Sequence, residues 1–387
     1  MKAQGKIPAL LLAAMSAGLA GAFGAEELRR VTGREGEVAV VTVPESAMIL
    51  HVTQLFPEAS GDESAQTTSL VTSLKSVLAS AGSDLQHLVR VHLYGRSPEA
   101  IAALHQAIRD ATRGHEPALS AVQTPLPDAR TSVALDAVAV RAGSPPAGGP
   151  PGDPSTVRVL APGARVFISG QAEKGDGTLA DATRKTLESL ERTLGFLGME
   201  KGDAVQVKCF VKPMSDAAVV RETMQAFFAP MPSPPLALVE WESSLPIEIE
   251  LVAGRGGKPD AGPAVEYLTP PGMTASPVYC RVARMNRGPL IFTGGITAAA
   301  SALESPEAEL KDTFAQLREL LDKTGSDFRH LVKATYYVSD AEANKRHNEL
   351  RPEYYDPQRP PAASKATVRS IGIPGRRYTM DMIAAGK

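Results

Sequence analysis

The sequence predicts an α+β protein made of three copies of one unit, each a mixed sheet carrying two helices on one face. Three observations carry that reading. The stretch Gly82-Ser83-Asp84-Leu85-Gln86-His87-Leu88-Val89-Arg90 returns as Gly325-Ser326-Asp327-Phe328-Arg329-His330-Leu331-Val332-Lys333, alike at Gly, Ser, Asp, His, Leu and Val and closed by a base. Between them stands a weaker version, Gly198-Met199-Glu200-Lys201-Gly202-Asp203-Ala204-Val205-Gln206-Val207-Lys208. Two stretches rich in Pro and Gly, 142–156 and 255–264, cannot bury apolar surface and read as exposed connectors. The expected layout is a leader at 1–25 and a first, looser unit at 26–141, then a second unit at 157–254 and a third at 265–387. One face of each sheet is covered by its helices. The other needs cover too, and packing sheet against sheet around a pseudo-threefold axis supplies it within one chain.

The chain opens with Lys2 and Lys6, then an uncharged run from Ile7 to Ala25 rich in Leu and Ala, ended by Glu26-Glu27. That is the layout of a secretory signal peptide, with Ala22-Phe23-Gly24 as a small-residue cleavage site. The expectation is an exported protein, periplasmic or secreted, with no stable membrane association after cleavage; an uncleaved anchor is the competing reading. An oxidising compartment would permit disulfides, yet only Cys209 and Cys280 are present. A bridge between them stays open, and two buried free thiols is the expectation.

In the first unit a helix carries Leu70, Leu74 and Val77, and Ser97-Pro98-Glu99 opens a second through Ile101, Leu104 and Ile108. In the second, Val166 to Gln171 reads as a strand, followed by a helix with Leu187, Leu190, Leu194 and Leu197. Val207–Val211 is the next strand, and Ser215-Asp216 opens a helix with Val220, Met224 and Phe227. The third is clearest. Leu290 to Gly295 is an apolar run ended by glycines. Ser305 caps a helix with Pro306 at its first position and Leu310, Phe314, Leu317 and Leu321 on one face, and Gly325 ends it. Leu331 to Val338 is a strand, and Ser339 with Glu342 reads as a capping box for the next helix. Ala366-Thr367-Val368 and Tyr378 to Ile383 close the unit.

Composition narrows the function. The chain has 387 residues, 43% hydrophobic and 22% charged, with a formal net charge of −2. Those are ordinary values for a globular protein. With no basic run interleaved with aromatics, no nucleic-acid partner is expected. The histidines His51, His87, His92, His105, His115, His330 and His347 lack metal-ligand spacing, so neither a metal nor any other cofactor is expected. His87 and His330 are repeat equivalents, and a structural hydrogen bond at a strand entrance accounts for both. Trp241 reads as packing.

The order Ser169-Gly170-Gln171, a long helix, Val207-Lys208, Ser215-Asp216 and Leu245 to Glu250 resembles the RidA (YjgF) family. Thr293-Gly294-Gly295, Val332-Lys333, Asn348-Glu349, Tyr354-Tyr355, Pro360-Pro361 and Met380 to Ala384 repeat the likeness. The resemblance implies a chorismate-mutase-like fold, trimeric in the family, with a cleft at each interface. Its best-known members hydrolyse enamines and imines of amino acids to 2-keto acids and ammonia. There an arginine in a Pro-Ala-Arg-Ser/Thr motif holds the substrate carboxylate, since a planar fork matches a carboxylate bidentately. A tyrosine, the Ser-Gly backbone, an asparagine and a late glutamate complete the family site.

Carried over residue by residue, the resemblance puts Leu119, Leu236 and Ala363 at the arginine position. All three units lack the clamp. The third keeps Tyr279 and Asn348 as counterparts of the tyrosine and asparagine. Thr293 with Gly294, and Ser169 with Gly170, stand at the backbone positions, and Glu248 matches the glutamate. Lys365, two residues beyond Ala363, projects to the same side of a strand and offers a point charge; an exposed strand-end lysine is its plain alternative. Tyr279, Asn348 and Lys365 are thus the catalytic candidates, and Thr293, Gly294, Ser169, Gly170 and Glu248 the ligand-binding ones. The expected function is a binding protein whose interfacial clefts take a small ligand, a carboxylate or imine, without the family's hydrolysis. The alternative is an enamine/imine deaminase using the third unit's cleft. An RNA-cleaving role sits badly with a weakly acidic, exported chain.

Overall fold

The computed structural model describes residues 27–58, 61–144, 153–257 and 262–387. The leader therefore lies outside the described residues, as do the middles of both connectors. In chain order, the first portion holds β1 (Arg29–Thr32), β2 (Val38–Val43), β3 (Ile49–Leu55), α1 (Glu63–Ser80), β4 (Leu88–Gly95), α2 (Pro98–Ala111), β5 (Ala118–Gln123) and β6 (Val133–Val140). The second holds β7 (Val157–Leu160), β8 (Arg165–Gln171), α3 (Leu179–Phe196), β9 (Ala204–Val211), α4 (Ala217–Phe228), β10 (Leu236–Glu240) and β11 (Ile247–Gly254). The third holds β12 (Val265–Leu268), β13 (Val282–Met285), β14 (Leu290–Thr293), α5 (Pro306–Lys323), β15 (Leu331–Val338), α6 (Ala341–Leu350), β16 (Ala362–Thr367) and β17 (Tyr378–Ala385).

Local chemistry sets most of these bounds. Ser97 and Ser305 accept from the amides of Ala100 and Ala308, both at 3.1 Å, and each is followed by proline at the first helical position. Gly325 turns the chain out of α5 with φ +74°, a conformation that favours glycine. His87 and His330 each bond the aspartate three residues earlier, Asp84 and Asp327, at 2.7 Å. This is the expected strand-entrance bond. The expected Ser339 box is not formed. Asp340 caps α6 by accepting from Ala343 N at 2.8 Å, while Ser339 donates to Arg377 O. The helix starts one residue later than the box requires, at Ala341, so Asp340 and not Ser339 stands at the N-cap. On α1, Leu78 rather than Val77 completes the buried stripe.

Three mixed sheets result: β5-β4-β6-β3-β7, β10-β9-β11-β8-β13-β12 and β1-β2-β14-β17-β15-β16. Each has one parallel pair, β4/β5, β9/β10 or β15/β16, joined across a helix as parallel strands require. Each sheet is completed by the leading strands of another portion. β7 pairs with β3 of the first, β12–β13 with β8 of the second, and the N-terminal β1–β2 hairpin with β14 of the third. The exchange closes a ring, the pseudo-trimer expected within one chain. Helix pairs lie outside, while Val41, Val138, Phe167, Val252, Phe292 and Ile383 from the inner faces meet in a shared core. Cys209 and Cys280 are buried and free, and Trp241 packs against Phe210.

On the axis, charge is shared between neighbours. Arg90, Gln206 and Lys333 occupy one position on β4, β9 and β15; Asp136, Glu250 and Asp381 occupy one on β6, β11 and β17. Arg90 reaches Asp381 of the third sheet at 3.3 Å, and Lys333 pairs with Glu250 of the second. The third crossing is neutral, Gln206 meeting His51 Nδ1 at 2.8 Å. Asp136 instead takes His92 at 2.8 Å and the Tyr94 hydroxyl on its own sheet.

Candidate functional site

The edge strands β5, β10 and β16 each face a neighbouring sheet, which makes three interfaces. Register fixes their equivalence. Leu119, Leu236 and Ala363 lie opposite Val91, Val207 and Ala334, and Ala121, Leu238 and Lys365 lie opposite Leu93, Cys209 and Tyr336. Ala134, Glu248 and Thr379 likewise share a position, opposite Tyr94, Phe210 and Tyr337.

Two interfaces are sealed. At β10, the Gln54 side chain donates to Leu238 O and accepts from Leu238 N, both at 3.1 Å. Thr53 does the same for Leu236 O and N at 3.0 and 3.1 Å. At β5, Gly295 N donates to Leu119 O at 2.9 Å, and a Cβ on Gly294 would stand 2.6 Å from that oxygen. Only glycine fits there. Thr293 is buried, its hydroxyl donating to Gly294 O and accepting from Met382 N. Thr293 and Gly294 therefore stand apart from Tyr279, Asn348 and Lys365.

The interface of β16 with β8 brings the other candidates together. Ser169 N donates to Arg281 O at 3.0 Å, and Cys280 N to Pro361 O at 3.1 Å, which carries Tyr279 to the rim under the Arg281 guanidinium. Gly170 N donates to Ser364 Oγ at 3.1 Å. A Cβ on Gly170 would lie 2.0 Å from Glu248 Oε1, so the missing side chain is what lets the carboxylate lie over this backbone. On the other wall, Lys365 Nζ donates to Asn348 Oδ1 at 2.7 Å. Arg351, in the turn after α6, stacks over Tyr336 at 5.8 Å from the ring centre. Sequence reasoning missed Arg351, although three residues from Asn348 is the spacing of one helix face.

Protein surrounds Glu248 on most sides, yet solvent still reaches it. Burial, helped by Glu250, pushes its carboxyl up to about 7, against Lys333, Ser364 and Arg281. Burial and the Arg351 charge pull Lys365 down to about 8, against Glu248. Two groups titrating near neutrality can exchange a proton with a bound molecule. The Ser169 hydroxyl and Arg351 Nε are buried without protein partners. A raised carboxyl favours folding below its unfolded value of 4.5, and that contribution is lost as pH rises through about 7. Glu248→Gln, compared with wild type by urea denaturation, should therefore gain relative stability between pH 4 and 8, by at most about 3 kcal/mol. A pH-independent difference would mean the carboxyl titrates normally.

A family model described as Endoribonuclease L-PSP matches residues 155–254 and 273–385, more than half of the chain. The first portion lies outside the matched segments but repeats their order of elements. Among solved structures, NMB1025 of Neisseria meningitidis, a YjgF family member, is 22% identical, covering 32% of this chain and 95% of its own at a TM-score of 0.24. The Escherichia coli YjgF gene product is 30% identical, covering 24% and 82% at 0.22. Escherichia coli TdcF with bound serine is 26% identical, covering 24% and 82% at 0.22. No curated protein matches. With its family match and, among the described residues, three sheets that each carry two helices, this chain belongs to the Endoribonuclease L-PSP (YjgF/Rid) family and carries three units of that fold.

Proposed function

We propose that the chain is a one-site member of its family, taking a small carboxylate-bearing ligand in the cleft between the second and third units. The observation that supports this is the uneven distribution of ionisable groups. At the two register positions that flank the cleft, only this interface has Glu248 and Lys365; elsewhere the positions hold Ala134, Thr379, Ala121 and Leu238. With alanine at the arginine position, Lys365 and Arg351 supply the charge that draws a carboxylate. A lysine point charge holds a carboxylate less rigidly than a guanidinium fork. Binding without the family's hydrolysis is the reading this favours. Hydrolysis of a carbon–nitrogen double bond is the second reading, supported by a glutamate that could activate water near neutral pH. We further propose that the protein is exported through its N-terminal leader, which N-terminal sequencing of the mature chain tests.

Pyruvate is a suitable stable probe. It should raise the melting temperature of wild type in a saturable way, and Lys365→Met should reduce the apparent affinity by about tenfold or more, as for a lost charge-assisted contact. An unshifted wild type, or equal affinity in the variant, removes the cleft from consideration. Decay of freshly generated 2-iminopropanoate separates the two readings. A rate equal to buffer supports binding alone, and acceleration lost in Glu248→Gln supports the hydrolase.

A further inference from the structure

We propose that Lys365 is a nucleophilic amine that condenses with the carbonyl of a 2-oxo acid or aldehyde in the cleft between the second and third units, forming a Schiff base. The inference rests on reading that cleft as the ligand site, and it adds a covalent step which that reading does not require. Its basis is what surrounds the amine. Lys311, Lys212, Lys333 and Lys387 each meet a carboxylate. Such contact holds the nitrogen against an opposite charge. Lys365 meets the neutral amide oxygen of Asn348 at 2.7 Å, which orients the nitrogen without fixing its charge.

Charge around the amine points the same way. Arg351, one turn beyond Asn348, is a fixed cation on this wall, and His347 stays neutral because burial and the Arg351 and Lys365 charges pull it well below its usual range. Glu248 is the carboxylate that acts on Lys365 from across the cleft. A lysine beside a second cation, partly removed from water, is a known way to free an amine lone pair near neutral pH. The pull on Lys365 to about 8 agrees with this arrangement.

The chemistry balances without another reagent. The neutral Lys365 nitrogen attacks the carbonyl carbon, and its proton passes to the carbonyl oxygen to give a carbinolamine. The Glu248 carboxylic acid protonates the departing hydroxyl, water leaves, and the nitrogen lone pair closes the carbon–nitrogen double bond. Glu248 is left as a carboxylate beside the resulting iminium. Nothing is oxidised or reduced.

The test is reductive trapping on the full chain. Protein is incubated with pyruvate, treated with sodium cyanoborohydride, weighed intact by mass spectrometry and mapped by peptide. The expected result is one reduced-pyruvate increment per chain, located on Lys365. Lys365→Met and Lys365→Arg should both lose it, and Glu248→Gln should slow it by roughly 10²-fold, a general-acid effect. Urea midpoints near wild type confirm that the variants fold. A pyruvate-dependent thermal shift with no trapped increment overturns the covalent step and leaves the binding reading standing. Absence of both sinks the two together. Increments spread over surface lysines, or unchanged in Lys365→Met, also overturn it.

Discussion

Asp381→Ala is expected to lower the free energy of unfolding by about 3–5 kcal/mol at pH 7. Asp381 is buried on β17 and takes Arg90 Nη1 from the first sheet at 3.3 Å, with His92 Nε2 also 3.3 Å away but not aligned for a hydrogen bond. Burial alone would push its carboxyl up. Arg90, His92 and Lys208 outweigh burial and hold it well below the usual carboxylate range. A depressed carboxyl contributes stability above its unfolded value of 3.8, and that contribution is lost as pH falls through the folded value. The deficit of the variant should thus be complete at pH 7 and shrink only in strong acid. The loss is large because truncation leaves the Arg90 guanidinium in the core with no carboxylate. Urea denaturation at pH 7 and pH 3 measures it, and a loss below about 1 kcal/mol at pH 7 would mean that water or another group already satisfies Arg90.

Sequence reasoning reached the repeat, the caps of α2 and α5, the bounds of β15 and the paired histidine bonds. Each is a local pattern in which a few neighbouring residues decide the outcome. Which sheet a strand joins is a different kind of question. β2 (VAVVTV) and β13 (VARM) are apolar enough to complete any open edge, and the choice among edges depends on how the chain leaves the preceding strand. The exchange of leading strands was therefore not legible. The candidate site suffered the same limit. Lys365 and Glu248 come from different units, and reading unit by unit grouped Lys365 with Thr293 and Gly294 instead. Only the placement of β16 beside β8 shows that the two face one interface.

The exchange makes the N-terminal hairpin the clasp of the ring, and a chain beginning at Glu45 should lose stability and associate beyond the state of the full chain. β7 and β12–β13 are also borrowed strands, but each is tethered at both ends by the chain. β1–β2 comes first among the described residues. It is held by pairing of Val40 to Val43 with β14 and by Arg34 on Asp312 at 2.9 Å. Arg30 adds bonds to Glu116 O at 3.0 Å and Gln86 O at 2.8 Å. Val40, Val41 and Val43 are fully buried, and at about 1.5–3 kcal/mol each their loss removes roughly 5–9 kcal/mol. A domain's whole stability is about 5–15 kcal/mol. The deletion also bares Leu290, Ile291 and Phe292 along an unpaired edge, which is a template for another chain. Light scattering should show a larger mass than for the full chain, and a synthetic peptide spanning Glu27 to Pro44 should return it to the full chain's value by refilling that edge. A truncated chain with the full chain's assembly state and an unchanged urea midpoint would show that the three sheets hold together without the clasp.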